Sequence, residues 1–163
     1  MHVRPAREDE LHAIGELTVA AYAEWLDGER DPYADHLRNA EARFREAELF
    51  VAVDGDDRTL LGAVTLCPEG SPWREIGLAD EGEFRMLATA PQARGRGVGG
   101  ALTQFCLDRF REVGAQAVVL STLPEMEAAH RIYTRLGFVR TPERDWRPYP
   151  DTLLITYRKE LGE

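Results

Sequence analysis

The chain has 163 residues, 44% of them hydrophobic, which is enough for one domain with a substantial core and too few for two comfortable ones. Its 20 basic and 29 acidic residues give a net charge of -9, which disfavours general attraction to nucleic acid or anionic membranes and mildly favours cationic small partners. The two cysteines, Cys67 and Cys106, are expected to be free buried thiols. Free thiols fit a reducing, cytoplasmic setting, and without an apolar stretch typical of a secretory signal or a membrane span we expect a soluble protein.

The first half of the chain predicts two helices followed by a hairpin. Apolar residues at helical spacing predict a first helix from about Glu8 that ends before Gly28, and a more polar helix from about Tyr33 to Glu46. Leu49 to Val53 has the pattern of a strand, and Leu60 to Leu66 that of its return strand after a turn containing Asp and Gly. The stretch from Pro68 to Gly82 is rich in Pro and Gly, and we expect an irregular connection of the kind that often borders a site.

The second half of the chain alternates strands with helices. The predicted strands are Phe84 to Thr89, Ala117 to Leu120, Phe138 to Arg140 and Leu153 to Tyr157. The predicted helices run from about Gly97 to Gly114 and from a capping box at Thr122 and Glu125 to Gly137. With a strand before the first helix, the order β-α-α-β-β-β-α-β-α-β-β predicts an α+β fold with a mixed central sheet.

A glycine-rich turn, Gln92-Ala93-Arg94-Gly95-Arg96-Gly97-Val98-Gly99, lies between a predicted strand and a predicted helix. The three alternate glycines remove Cβ atoms and permit positive φ, while the two arginines add positive charge. The first turn of the helix supplies unpaired N–H groups and the positive end of the helix dipole. The turn is therefore predicted to hold a diphosphate. It lacks the Lys and Ser/Thr of a Walker loop and has the wrong glycine interval for a dinucleotide fold.

Three motifs in this order resemble the GNAT superfamily of acetyl-CoA-dependent N-acetyltransferases. They are Phe84-Arg85-Met86-Leu87-Ala88-Thr89, Gln92-x-x-Gly95-x-Gly97-x-Gly99 and Ala129-x-x-Ile132-Tyr133-x-x-Leu136-Gly137-Phe138. The resemblance covers most of the chain and implies one GNAT-like domain over residues 1–163, a three-layer α+β fold with a mostly antiparallel mixed sheet flanked by helices. It also implies acetyl-CoA as co-substrate, and no metal is expected. The residues implied to bind coenzyme A are the backbone of Leu87, Ala88 and Thr89 for the pantetheine arm, and Arg94, Gly95, Arg96, Gly97, Val98 and Gly99 for the pyrophosphate.

The reaction that the resemblance implies is direct attack by a primary amine on the acetyl thioester. Tyr133 matches the family position that commonly acts as general acid, and the alternative is an ordinary core tyrosine. Glu83 is the candidate base, and ordered water relayed by Ser121 or by a backbone carbonyl is the competing arrangement. Met126 stands where many relatives have an Asn, so a hydrogen-bond donor is lost at that position. A non-catalytic acyl-CoA-binding module is the alternative function.

The acceptor is expected to be an amine of a small molecule or peptide. Trp25, Trp73 and Trp146 fall in regions that commonly line the acceptor site in the family, where aromatic faces and carboxylates bind a cation, although each tryptophan could simply anchor a loop. Arg144 and Arg147 would instead favour an acceptor that carries a carboxylate. Neither nucleic acid nor a membrane is an expected partner, and a homodimer stays open.

Overall fold

The computed structural model describes residues 1–28 and 30–162. The strands are β1 His2–Pro5, β2 Glu48–Val53, β3 Leu60–Leu66, β4 Glu81–Thr89, β5 Ala117–Thr122, β6 Val139–Arg140, β7 Trp146–Tyr149 and β8 Thr152–Glu160. The helices are α1 Leu11–Tyr22, α2 Pro32–Arg38, α3 Ala40–Glu46, α4 Val98–Glu112 and α5 Glu127–Arg135. Within these described residues, no helix is long and apolar enough to cross a bilayer.

The strands form one sheet in the order β1-β2-β3-β4-β5-β8-β6, and β7 pairs with β8 beside this path. The pair β4–β5 is parallel, and every other pair of strands described here is antiparallel. The predicted mixed, mostly antiparallel sheet is therefore confirmed.

Two apolar cores cover opposite faces of this sheet, and β2 shows why. Phe50 and Ala52 belong to the core that includes the apolar side of α4. Leu49, Val51 and Val53, which alternate with them, pack with residues of α1 and α3. Because successive strand residues point to opposite faces, a continuously apolar strand must be covered on both sides. The result is a central sheet between two helical layers.

The two predicted N-terminal helices are shorter than expected. Short 3-10 turns flank α1, and the helix predicted from Tyr33 to Glu46 is broken at Asn39. The Asn39 side chain accepts the backbone N–H of Ala42 at 3.2 Å and so caps α3. Buried Arg43 of α3 donates to the carbonyls of His36 and Leu37 at 2.6 and 2.9 Å, which satisfies acceptors at the end of α2.

The second half of the chain differs from its predicted pattern at three points. The predicted capping box at Thr122 is wrong because Thr122 is the last residue of β5, paired with Ile155, and α5 begins at Glu127. Strand β4 begins at Glu81, three residues before the predicted start at Phe84. An additional strand, β7, pairs with β8 and carries Trp146.

Candidate active site

The parallel strands β4 and β5 pair only near their beginnings. Their three register pairs join residues 81–83 to residues 117–119. Further along, β4 pairs with β3 as far as Thr89, and β5 pairs with β8 as far as Thr122. The facing edges of β4 and β5 thus separate after Glu83. Beyond that point, the inward edge of β4 has no strand partner within the described part of the chain, and an extended amide-bearing group can pair with such an edge.

A cluster of ion pairs closes the paired end of this opening. The Glu81 side chain, only 2% exposed, lies 2.9 Å from Arg144 and 2.8 Å from Arg158. Burial alone would raise the pKa of this carboxyl, but hydrogen bonds from Arg144, the Leu78 N–H and Arg158 lower the pKa to about 2. Arg144 therefore stabilises the fold through its ion pair with Glu81, although the sequence made it a candidate for acceptor recognition.

A β-bulge bends β4 where the strands separate. Two steps along β3, from Ala63 to Thr65, oppose three steps along β4, from Ala88 to Arg85. Within the bulge Met86 adopts a left-handed φ of 55°, which is unusual for a residue with a side chain. The bulge therefore displaces the β4 backbone at the edge of the opening.

A cavity of about 390 Å³ occupies the space between the separating strands. Its walls include Phe84 and Leu87 of β4, Leu120 of β5, Tyr133 of α5 and Trp25 beyond the end of α1. It is within the size range of sites for small molecules.

Tyr133 stands on one wall of the cavity. Its side chain is 5% exposed, and its ring packs against those of Phe84, Phe138 and Tyr157 at centroid distances of 6.1, 5.7 and 5.9 Å. Burial raises the pKa of the phenol well above its usual range, so the group keeps its proton at neutral pH. No hydrogen bond of this hydroxyl is found within residues 1–28 and 30–162. The phenol is thus in the form that a proton donor requires.

Glu83 is placed behind the cavity wall. The side chain is fully buried, and its Oε1 accepts the backbone N–H groups of Glu75, Ile76 and Gly77 at 2.9, 3.0 and 3.0 Å. Its Oε2 has no partner among the described residues. Glu83 is absent from the residues that line the cavity, so it is positioned to hold the connection between β3 and β4.

A carboxylate that the sequence analysis did not single out lines the cavity instead. Glu75 lies in the β3–β4 connection, with an exposed backbone and a side chain that is only 25% exposed. Its Oε1 is 2.9 Å from the Nε of Arg85. Burial raises the pKa of this carboxyl, Arg85 opposes the increase, and the charge of Glu83 adds to it. No periodic pattern marks this irregular connection, so only the folded chain identifies the residue.

The three tryptophans have different positions. Trp25 lines the cavity, whereas Trp73 and Trp146 do not. The Trp73 ring lies 5.7 Å from the guanidinium of Arg85, which does line the cavity. The indole N–H of Trp146 donates to Ser121 Oγ, another cavity residue, at 3.0 Å. Trp73 and Trp146 therefore support the cavity wall through a neighbour.

The glycine-rich turn connects β4 to α4. Gly95 and Gly97 adopt φ values of 83° and 78°, and a Cβ added to either would meet no atom within 4 Å. Gly99 differs from the expectation of a positive φ because it lies within α4, where an added Cβ would come 2.9 Å from Ile132 Cδ1. Arg96 reaches Asp54 at 3.4 Å, across the neighbouring hairpin. The turn combines open space beside its backbone with the unpaired N–H groups of the first turn of α4.

Both cysteines are buried and free, as predicted. Burial raises the pKa of the Cys67 thiol to about 12 and that of Cys106 well above its usual range. Neither is therefore a reactive thiolate at neutral pH. Across the described residues, no group of three or more His, Cys, Asp or Glu side chains is arranged to hold a metal ion.

Residues 11–138 match the acetyltransferase (GNAT) family. The chain is similar to N-alpha-acetyltransferase 30 of Schizosaccharomyces pombe, with 41% identity over 91 residues that make up 56% of this chain and 57% of that protein. It is also similar to mycothiol acetyltransferase of Cellulomonas flavigena, with 33% identity over 122 residues, 68% of this chain and 34% of that protein. The chain therefore spans about a third to somewhat over half of the length of these relatives.

The solved structure of yncA from Salmonella typhimurium, which contains its cofactor acetyl-CoA, shares the fold. The TM-score is 0.70 at 22% sequence identity, with 100% of this chain and 95% of the other covered. This likeness, together with the sheet order, confirms the predicted α+β architecture. Since the family match extends over most of its length, the chain belongs to the acetyltransferase (GNAT) family.

Proposed function

We propose that residues 1–163 form one domain that transfers an acetyl group from acetyl-CoA to a primary amine of a small molecule or peptide. The observation that carries this proposal is the cavity between the separating strands, which has Leu87 on one wall and Tyr133 on another. Tyr133 is the general acid for the leaving thiolate because burial keeps its phenol protonated. Direct attack is favoured because Cys67 and Cys106 are buried, protonated thiols.

The residues of β4 and of the glycine-rich turn fit acetyl-CoA, which supplies the activated acetyl thioester. The backbone of Leu87, Ala88 and Thr89 borders the opening, where it is suited to pair with the pantetheine arm. The segment Arg94 to Gly99 is assigned to the diphosphate because a Cβ at Gly95 or Gly97 would occupy open space beside this backbone. Met126 lines the cavity as an apolar contact in place of the usual Asn.

The acceptor lies on the side of the cavity where Trp25 contributes to the wall. Trp73 and Trp146 contact two other residues that line the cavity, Arg85 and Ser121. The similar proteins are named for different acceptors, since one is an N-alpha-acetyltransferase and the other a mycothiol acetyltransferase. Both a peptide N-terminus and a small amine therefore belong in the test. The acidic charge and the free thiols are consistent with action in the cytoplasm.

The test is thiol release from acetyl-CoA, measured with a thiol-reactive dye in the presence of spermidine, kanamycin, L-alanine or a tetrapeptide with a free N-terminus. We expect release above the hydrolysis background for at least one of these amines. Acetyl-CoA binding measured by calorimetry accompanies each assay. Tight binding of acetyl-CoA without turnover on any amine would contradict the proposed acetyl transfer and favour the acyl-CoA-binding module.

A further inference from the structure

We propose that Glu75 binds the ammonium group of the acceptor and removes its proton, and that Glu83 is the positioning residue behind it. This inference rests on the proposed function and identifies the acceptor as an amine that is protonated at neutral pH. Its basis is the arrangement of carboxylates around the cavity. Glu75 lines the cavity, whereas Glu83 lies behind it and accepts the backbone N–H of Glu75.

Besides Glu75, the carboxylate and imidazole groups on the cavity wall are those of Asp31 and His36, which are engaged or exposed. Asp31 accepts the N–H of Tyr33 through Oδ1 and that of Asp27 through Oδ2, both at 2.9 Å, so Oδ1 caps the start of α2 and Oδ2 bonds to the preceding loop. His36 is exposed, and its ring packs against that of Trp73. Neither arrangement directs an unoccupied carboxylate oxygen towards a substrate.

Glu75 differs because one of its oxygens is unoccupied. Arg85 contacts Oε1, and no hydrogen bond to Oε2 is found within residues 1–28 and 30–162. An alkylammonium group entering the cavity can donate to this oxygen, forming a charge-assisted hydrogen bond. Trp25 lines the same cavity, and an aromatic ring there can add a cation-π contact with the bound ammonium group.

The connection that carries Glu75 is irregular but held at several points. Glu83 Oε1 accepts three successive N–H groups at residues 75–77. The guanidinium of Arg74 donates to the carbonyls of Cys67 and Gly77, each at 3.2 Å, and to that of Glu81 at 2.7 Å. These bonds tie the connection to the end of β3 and to the start of β4. The backbone at Glu75 is therefore held in place before a substrate binds, and Arg85 contacts its side chain at 2.9 Å.

Four titratable groups interact electrostatically with the Glu75 carboxyl. Arg85 and Glu83 belong to β4, Tyr33 to α2, and Cys67 follows β3. Burial raises the pKa of Tyr33 and that of Cys67, so both are neutral at pH 7. The remaining charges are Arg85, which stabilises the carboxylate, and Glu83, which opposes it. Burial and the charge of Glu83 together raise the pKa of the Glu75 carboxyl despite Arg85, so its carboxylate is a stronger proton acceptor than one in water.

In the proposed reaction, Glu75 and Tyr133 each receive one of the two protons that the acceptor nitrogen loses. An alkylammonium group has a pKa of about 10 and gives one proton to Glu75 before attack. The electron pair freed on nitrogen forms the C–N bond at the acetyl carbon, and the C–S bond breaks with its electrons on sulfur. The phenol of Tyr133 protonates that sulfur and is restored by the second proton lost from nitrogen. Glu75 releases its proton to water, so the products are an amide, a thiol and one proton.

The test compares Glu75→Gln with Glu75→Asp, using whichever amine of the four named above gives the highest thiol release. We expect Glu75→Gln to lower kcat/KM by about 10²-fold or more and to abolish the fall of kcat/KM at acidic pH, because no carboxylate remains to be protonated. Glu75→Asp should retain part of the rate and the acidic fall. Acetyl-CoA affinity, measured by calorimetry, should be unchanged in both variants.

Asp31→Asn is the matched control, since Asp31 is the other carboxylate that lines the cavity, and it should retain the acidic fall of kcat/KM. An unaltered pH profile in Glu75→Gln would overturn the inference, as would loss of the acidic fall in His36→Asn instead. These outcomes require an active wild-type protein. Absence of thiol release by the wild type with every amine, despite acetyl-CoA binding, would refute the proposed function itself.

Discussion

The hydroxyl of Tyr22, on α1, donates to the carbonyl of Leu87, on β4, at 3.0 Å. The bond joins a helix on one face of the sheet to the β-bulge at the edge of the cavity. It satisfies a strand carbonyl at the point where the regular ladder is interrupted.

Tyr22→Phe should therefore loosen the bulge without removing aromatic packing. We expect a loss of about 1 kcal/mol in the free energy of unfolding because one partly buried hydrogen bond is lost. The KM for acetyl-CoA should rise, since the Leu87 backbone is proposed to border the pantetheine arm. Urea unfolding and initial-rate kinetics on the same preparation would measure both effects. An unchanged KM with reduced stability would limit the role of Tyr22 to the fold.

Tyr133→Phe removes the proposed general acid and keeps the ring. We expect kcat to fall by about 10²-fold with little change in acetyl-CoA affinity, because the phenol is assigned to the leaving thiolate. The pKa of the phenol is raised by burial, so loss of its proton should not limit the wild-type rate near neutral pH. Steady-state kinetics and calorimetry are the measurements. A kcat equal to that of the wild type would assign Tyr133 to packing alone.

Gly97→Ala tests the glycine-rich turn. The φ of 78° would cost about 1–2 kcal/mol with a Cβ present, and the new methyl group would occupy space assigned to the diphosphate. Gly114→Ala is the matched control, because Gly114 has a φ of 83°, and an added Cβ there also meets nothing within 4 Å. Both variants should lose similar stability, and only Gly97→Ala should weaken acetyl-CoA binding, by at least about tenfold. Equal affinities in calorimetry would remove the turn from the coenzyme site.

Arg43→Met tests the junction of α2 and α3. The substitution leaves the carbonyls of His36 and Leu37 without their buried donor, and we expect it to lower the free energy of unfolding by about 2–3 kcal/mol. Arg45→Ala is the control from the same helix. Its exposed pair with Glu41 should contribute only about 0.3–0.5 kcal/mol. Similar urea midpoints for the two variants would show that the buried bonds are weaker than proposed.

Glu81→Gln tests the ion pairs at the closed end of the opening. The pKa of Glu81 is lowered to about 2, so its contribution to stability is present above its ordinary pKa of 4.5 and is lost as pH falls towards 2. The wild type should therefore lose more free energy of unfolding than Glu81→Gln between pH 5 and pH 2. Denaturant unfolding at several pH values measures this difference. Parallel pH profiles would contradict the assigned role of Glu81.

Local patterns were sufficient to predict the helices and strands whose apolar spacing and flanking glycines lie within a short stretch of sequence. The strand before the glycine-rich turn and the helix after it followed from apolar spacing and from the glycines, and α4 begins at Val98, one residue after the predicted start at about Gly97. The helix break at Asn39 was missed because its polar side chain could equally have been exposed in a continuous helix. Its capping bond to Ala42 is visible only in the folded chain.

The site was less predictable because it depends on partners that are distant in sequence. The sequence made Glu83 the candidate base, but in the structure this side chain is buried beneath the β3–β4 connection. Glu75, in that connection, belongs to no helix or strand, so no periodicity indicates which way its side chain points. Likewise, Thr122 has a good capping sequence but pairs with Ile155 of β8, because strand pairing overrides a local preference.

The short parallel pairing of β4 with β5 joins the two halves of the sheet at one end only. The three register pairs and the Glu81 ion pairs form this junction. A small rotation of one half of the sheet about the junction would produce a displacement that increases with distance from it. The distance between Leu87 and Tyr133 is consequently expected to depend on the paired end of the two strands, whose residues do not line the cavity.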